Sequence, residues 1–402
     1  MSVPASPALA RVAKGRLCTG CGLCAGIASA AITMTMQPPG YLRPLQAAPL
    51  TAEQETGIAA ACPALVVDGA ADADALWGPA LFVGTGFATD KALRHRASSG
   101  GVISALLTHA LAAGSIDFVV QTGADAAIPF ANHTGAASDA AAILAAAGSR
   151  YAPSAPLAEL ENWLQRGRFA FVGKPCDVAA LRARALHDPR IDAQVPLMLS
   201  FFCAGIPSAA GTRRVLDRLG VAPDDVASFR FRGDGWPGFA TATRHDGTSE
   251  RMSYADSWGD ILSKEVQFRC KICADAVGTS ADIACADAWY GDDRGYPSFE
   301  EQDGRSLVMV RTATGMALLD AARDAGAIAT EPLAITEIVK MQPHQARRKR
   351  QVLSRLAAMA VAGRPRPRYR DLQLWKAAVQ DSPLAQLRSF AGLLRRLMQG
   401  RT

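Results

Sequence analysis

Three cysteines stand two residues apart in the run Cys18-Thr19-Gly20-Cys21-Gly22-Leu23-Cys24. Such gaps let three thiolates meet three corners of an iron–sulfur cubane. The bacterial ferredoxin pattern would place a fourth cysteine, followed by proline, three residues further on. Position 28 is Ala28, and the Cys-Pro dipeptide comes later, at Cys62-Pro63. Cys62 is therefore the expected fourth ligand, closing the site from a distance. Gly20 and Gly22 suit a loop wound tightly around a cluster. The alternative is zinc, which prefers two CxxC or Cys/His pairs. One compact triplet fits [4Fe-4S] better.

Five cysteines remain: Cys176, Cys203, Cys270, Cys273 and Cys285. Cys176 lies in GKPCD, just past the apolar run 169–172, and Cys203 lies in FFCAG after another. In open α/β sheets, ligands sit in the crevice at the carboxyl ends of strands. Two cysteines at two strand ends can face one crevice, and the CxxC of Cys270 and Cys273 can complete four ligands. Taken alone, Cys203 reads equally well as a buried core thiol. Cys285 reads as core.

A third feature is RHRASSGG, residues 94–101, followed by Val102, Ile103, Leu106, Leu107, Ala110 and Leu111 at helical spacing up to Gly114. A Ser-Ser-Gly-Gly turn opening a helix is a good anion cradle, because free backbone N–H groups and the helix dipole face the ligand. The bland reading is an ordinary serine N-cap. Arg94, His95 and Arg96 flank the turn, which is neither a Walker A nor a GxGxxG sequence.

The elements that must position these residues alternate between strand-like and helix-like runs after Gly78, which predicts an α/β fold with a mixed or parallel sheet core. FVGTGFA and IDFVVQ read as strands; residues 123–147 read as a Gly/Ala/Asp-rich segment and then a helix. The loop FRFRGDGWPG carries Arg230, Arg232, Asp234 and Trp236, and its arginines can hold an anion or be solvated. For Asp282 and Asp287 of SADIACADAWYGDD, near Trp289, a surface role is the default. The expected division is an N-terminal iron–sulfur module over 1–76, an α/β domain over 77–342 and a basic helical tail over 343–402.

The chain has 402 residues, of which 43 Lys and Arg face 37 Asp and Glu. The excess lies mostly between Arg347 and Arg370. It reads as a solvated basic helix face with a Pro-rich linker, ahead of nucleic-acid binding. Docking of an acidic electron carrier is a third reading. No apolar run reaches the roughly 18 residues of a membrane span, and no secretory signal is visible. A cytoplasmic location is expected, and nine cysteines in a reducing compartment argue for metal or redox chemistry over disulfides.

Together CTGCGLC, GYLRP (40–44), Cys62-Pro63, RHRASSGGVISALL, GSRY, GKPCD, FFCAG, FRFRGDGWPG, and FRCKICAD with ADIACADAW resemble, in order, the beta-subunit family of hydrogenases and dehydrogenases that reduce the deazaflavin coenzyme F420. Its relatives include the plant 7-hydroxymethyl chlorophyll a reductase. The resemblance covers roughly residues 15–345. It implies a bound FAD, with Ser98, Ser99, Gly100, Gly101, Ser149, Tyr151 and Lys174 around it. It also implies an inner [4Fe-4S] cluster on Cys176, Cys203, Cys270 and Cys273. The N-terminal cysteines resemble the ferredoxin-like module of some members. The expected function is electron transfer from a ferredoxin-like donor through two [4Fe-4S] clusters to FAD, and on to a deazaflavin or tetrapyrrole-like acceptor. A flavin converts between one-electron and hydride chemistry. Lys174, His95 and Asp177 are proton-donor candidates by location. Two other classes stand beside this: a non-catalytic electron-transfer subunit, and a zinc-stabilised binding module. Substrate and oligomeric state do not follow from the sequence.

Overall fold

The structure is a computed structural model that describes residues 4–291, 298 and 300–400. The last two residues of SADIACADAWYGDD, 292 and 293, lie outside the described residues. The N-terminal segment holds helices α1 (Pro7–Gly15) and α2 (Leu23–Ile27), the antiparallel hairpin β1 (Ile32–Gln37) and β2 (Tyr41–Gln46), helix α3 (Ala52–Ala61) and the short strand β3 (Val66–Asp68). Thr51 and Gln54 form a capping box that starts α3. Pro63 stops it, because the residue before a proline is pushed out of the helical region; Cys62 is extended, with φ −71° and ψ 116°.

The main body follows in order. Strand β4 (Phe82–Ala88) leads to α4 (Lys91–Arg96) and α5 (Val102–Ala112), then β5 (Phe118–Ala124), β6 (Asn132–Ala137), α6 (Ala140–Ala145) and α7 (Leu160–Leu164). Next come β7 (Phe169–Gly173), α8 (Pro175–Ala185), α9 (Pro189–Gln194), β8 (Leu197–Phe201) and α10 (Ala209–Leu219). A three-stranded antiparallel meander, β9 (Val226–Arg230), β10 (Ala240–Arg244) and β11 (Ser249–Met252), precedes the short α11 (Phe268–Lys271). Strands β12 (Ile283–Asp287) and β13 (Ser306–Val310), helix α12 (Ala313–Asp324) and β14 (Ile328–Pro332) complete the sheet.

That sheet has eight strands in the order β14-β4-β13-β12-β8-β7-β5-β6. The central four, β12, β8, β7 and β5, are parallel, and the flanking pairs are antiparallel. The expected mixed α/β core is present. Side chains alternate across the pleat, so Val119, Ala170 and Leu199 pack under α5 and α12. Phe118, Val120, Phe169, Phe171 and Met198 pack on the other face against α7, α8 and the N-terminal segment, through Cys21, Leu23 and Ala61. Strand β6 lies inside the run expected to be irregular: its sequence, NHTGAA, has too few apolar residues to signal an edge strand.

The basic tail is not a solvated appendage. Helices α13 (Ile338–Met341) and α14 (Pro343–Val361) are followed by β15 (Arg368–Arg370), α15 (Leu374–Ala378) and α16 (Pro383–Met398). The segment RPRPRYR, expected as a linker, supplies β15, which pairs in parallel with β3. Val352, Leu356, Met359, Leu393 and Leu397 share one core with Val12, Leu17, Ala64 and Val67. No helix among the described residues is long and apolar enough to cross a membrane.

Candidate functional site

Cys18, Cys21, Cys24 and Cys62 line one small cavity with Leu9, Val12, Met34, Pro44 and Ile58. Cys18 and Cys21 come from the loop between α1 and α2, Cys24 from α2, and Cys62 from the end of α3. Gly22 has φ +85°, and a Cβ there would come within 2.8 Å of the Ala158 nitrogen, so the loop is pinned against the 148–158 segment. Burial pushes the Cys62 thiol up to about 12. It also raises Cys18, Cys21 and Cys24, and the neighbouring sulfurs push Cys21 and Cys24 further the same way. Such thiols ionise when a metal takes the proton's place. Among the described residues, no three His, Cys, Asp or Glu side chains converge as they do around one ion. A mostly apolar lining around four sulfurs is the setting such a cluster takes.

The second set gathers at the carboxyl ends of the parallel strands. Cys176 sits in the first turn of α8, directly after β7; Cys203 follows β8; Cys270 and Cys273 come from α11 and the turn beyond it. Burial lifts Cys203 to about 12, with Cys270 and Cys273 close enough to add to it. Cys176 is raised by burial first, and among its neighbours are Cys203 and, from the N-terminal quartet, Cys21. The two sets therefore adjoin. Cys285 is buried in β12 within the sheet core, as expected, and it also borders the large cavity beside the inner set.

Helix α14 clasps the inner set from outside. Gln345 Nε2 and Arg348 Nη1 donate to the Cys203 carbonyl at 3.2 and 3.0 Å, and Arg348 Nη2 to the Ala204 carbonyl at 2.6 Å. Lys349 Nζ donates to the Ala274 carbonyl at 2.8 Å, and Arg355 Nη1 to that of Lys271 at 2.6 Å. The sequence reading missed these residues, because a basic helix gives no sign of which carbonyls it will meet.

A cavity of about 990 Å³ opens over this region. Its wall includes Val172 and Gly173 of β7, Phe201 of β8, Cys285, Ala286 and Asp287 of β12, and Cys203 and Cys270. Ser98, Ser99, Gly101, Ser149, Tyr151 and Lys174 also line it, whereas Gly100 and His95 are absent from its lining. Gly101 is the N-cap of α5 at φ +78°, with no side-chain cap. The expected alternative of a serine cap therefore does not hold, and the first N–H groups of the helix stay open to a ligand. Gly100, at φ +75°, makes the turn, and a Cβ on it would meet the Ser306 nitrogen at 2.9 Å. Both serines are engaged: Ser98 and Ser149 hydroxyls are 2.7 Å apart, and Ser99 donates to the Ala286 carbonyl at 3.0 Å.

Lys174 is buried and fixed by Asp177 at 2.7 Å and Ser154 at 3.1 Å. Burial acts to lower its pKa, but Asp177 and Cys176 outweigh it and hold the ammonium charged. Lys174 is thus a fixed positive charge at the cavity wall, and both members of the pair are occupied with each other. His95 stands away from the cavity.

Arg232 corrects the surface default for Asp287. Only 1 % exposed, it makes a two-pronged pair with Asp287 at 2.8 and 2.9 Å. It also donates to the Ser98 carbonyl and the Pro237 carbonyl, each at 2.6 Å, and Trp236 Nε1 reaches Asp287 at 3.2 Å. One guanidinium therefore ties FRFRGDGWPG, SSGG and ADIACADAW together. Asp282 is buried too: it accepts from Arg182, Thr312 and the Met198 N–H. Arg230 is likewise spent internally, on Asp234 and the Arg96 carbonyl. Tyr254 and Trp289 stack at 5.7 Å, and the Tyr151 and Trp258 rings lie tilted to each other at 4.8 Å, giving the cavity an aromatic wall that the sequence did not announce.

Comparison with known proteins bears on the family and the fold. Residues 83–161 match the family model for the N-terminal part of the coenzyme F420 hydrogenase/dehydrogenase beta subunit, and residues 166–335 match the companion model for its C terminus. The chain is 24% identical over 292 residues to the coenzyme F420 hydrogenase subunit beta of Methanothermobacter thermautotrophicus, covering 69% of this chain and 95% of the relative. It is 25% identical over 257 residues to the same subunit of Methanosarcina barkeri, covering 61% and 79%. A chain of the F420-reducing [NiFe] hydrogenase complex from Methanosarcina barkeri shares the fold, with a TM-score of 0.56 at 21% identity over 74% of this chain and 98% of that one.

Proposed function

The chain belongs to the coenzyme F420 hydrogenase/dehydrogenase beta-subunit family, and from that premise we propose that it is an iron–sulfur flavoprotein that passes electrons between a ferredoxin-like donor and an organic acceptor. One observation carries the reading. Two cysteine sets adjoin through Cys21 and Cys176, and the inner one borders a cavity with an open helix N-terminus and an aromatic wall. At about 990 Å³ the cavity is at the large end of small-molecule sites, roughly 300–1,000 Å³.

In this reading Cys18, Cys21, Cys24 and Cys62 hold one [4Fe-4S] cluster, and Cys176, Cys203, Cys270 and Cys273 hold the other. The N–H groups at Gly101, with Ser98, Ser99 and Ser149, hold the pyrophosphate of FAD, and Tyr151, Tyr254 and Trp289 flank its ring system. A bound flavin supplies conversion between single-electron and hydride transfer. Arg232 keeps the three cavity loops in register. Lys174 offers a fixed cation to anionic groups near the inner cysteines. The acceptor is a planar heterocycle such as a deazaflavin or a tetrapyrrole, matched to the aromatic wall.

The test is to reconstitute the chain with iron and sulfide and titrate it with FAD. Quenching of flavin fluorescence complete at about one equivalent is expected. A fully iron-loaded chain that leaves the fluorescence unchanged contradicts the flavin assignment.

A second reading, a subunit that turns over only within a complex, has its own support. Trp375, Val379, Leu384 and Leu387, on and beside α15 and α16, are all exposed, with Trp375 at 72 %. Exposed apolar side chains gathered on neighbouring elements mark contact surfaces. Turnover by the isolated chain excludes this reading.

A further inference from the structure

Among the described residues, two of the buried cations have a carboxylate partner. Arg232 faces Asp287 and Lys174 faces Asp177. Arg311 is spread over the carbonyls of Trp77, Pro79 and Val277. Arg269, like Arg311, has no carboxylate partner and an unpartnered Nε, but it stands among the cysteines. It is 2 % exposed and precedes Cys270 on α11. Its Nη2 crosses to the N-terminal segment and donates to the carbonyl of Pro63, the neighbour of Cys62, at 2.8 Å. Tyr369 of β15 lies under the guanidinium at 5.5 Å, and its own hydroxyl donates to the Ile272 carbonyl at 2.7 Å. The Nε of Arg269 is buried without a hydrogen-bond partner. Among the described residues no carboxylate pairs with it.

A buried guanidinium held by one carbonyl and one ring is far from compensated. The acidic groups around it are Tyr369 and the thiols of Cys273, Cys176 and Cys270. On its other side it bears on Cys18 and Cys62. Its position, bonded next to Cys62 and bonded in sequence to Cys270, is the seam between the two quartets.

We infer that Arg269 is a counter-cation shared by the two cysteine quartets, balanced by anionic iron–sulfur clusters on either side of it. The inference rests on the two-cluster reading above. Four thiolates give each cluster a net negative charge, and every added electron deepens it. A fixed cation therefore favours the reduced state of both clusters, and one residue tunes them together. Arg269 is a positioning and tuning residue; it touches no substrate.

The test is a redox titration of the iron-loaded chain, followed spectroscopically at each cluster, for wild type, Arg269→Gln and Arg269→Lys. Arg269→Gln is expected to keep its iron and to disfavour the reduced state about tenfold at both clusters, a drop of about 59 mV for a one-electron couple. Arg269→Lys, which keeps the charge, stays close to wild type. Potentials that ignore Arg269→Gln, or that shift at the inner cluster alone, overturn the inference and leave the two-cluster reading intact. A wild-type chain with fewer than two clusters overturns both. Should Arg269→Gln lose iron, Arg269→Lys decides. Restored clusters support charge compensation, and lost clusters show that the role of Arg269 is to hold the Pro63 carbonyl.

Discussion

Cys62 owes its place to the proline behind it, which ends α3 and swings the thiol toward the CxxCxxC loop. That link was legible in the sequence, because a Cys-Pro dipeptide displaced from its usual distance is a local signal. With Cys62→Ala, anaerobic iron analysis should fall by about half, from about eight irons to about four. Unchanged iron would remove Cys62 from the ligand set. The pairing of Arg232 with Asp287 was not legible: 55 residues separate them, and an ion pair across loops leaves no periodic trace. Removing one member strands the other in a buried site. Arg232→Ala should therefore cost about 3–5 kcal/mol in denaturant unfolding. A loss below about 1 kcal/mol, the range of surface pairs, would show that the loops hold themselves.

The element that matters most to the cavity is α5. Its apolar spacing and its start after SSGG were both readable, as were the strands that deliver Cys176 and Cys203. Which residue caps it was not, because Ser and Gly are both good N-cap residues and only the backbone turn decides between them. Gly100 has a left-handed conformation with the Ser306 nitrogen against its missing Cβ. Gly100→Ala should lower stability by about 1–3 kcal/mol and weaken FAD binding in the same titration, while iron content stays near wild type. Unaltered flavin affinity would move the pyrophosphate away from this turn. Strands β6 and β15 escaped the sequence reading for a shared reason. Neither NHTGAA nor the basic, proline-flanked RYR carries an apolar alternation, and each is a strand only because an existing edge pairs with it.

At the scale of the molecule, the two chain ends are knitted together around the cysteines. Strand β15 pairs with β3, α14 and α16 share one hydrophobic cluster with Val12 of α1, and α14 holds the carbonyls of Cys203 and Ala274. The matched family segments span residues 83–161 and 166–335, so both knitted ends lie outside them. A chain cut after Gln342 should accordingly lose iron from both quartets; full retention would make the C-terminal helices dispensable for the metal sites. The central claim is that one chain carries two iron–sulfur clusters beside one flavin. It is tested most directly by anaerobic purification with iron, acid-labile sulfide, zinc and flavin counted per chain. About eight irons, about eight sulfides and about one FAD are predicted. About four irons would leave only one of the two quartets as a cluster site, and zinc without flavin would contradict the account as a whole.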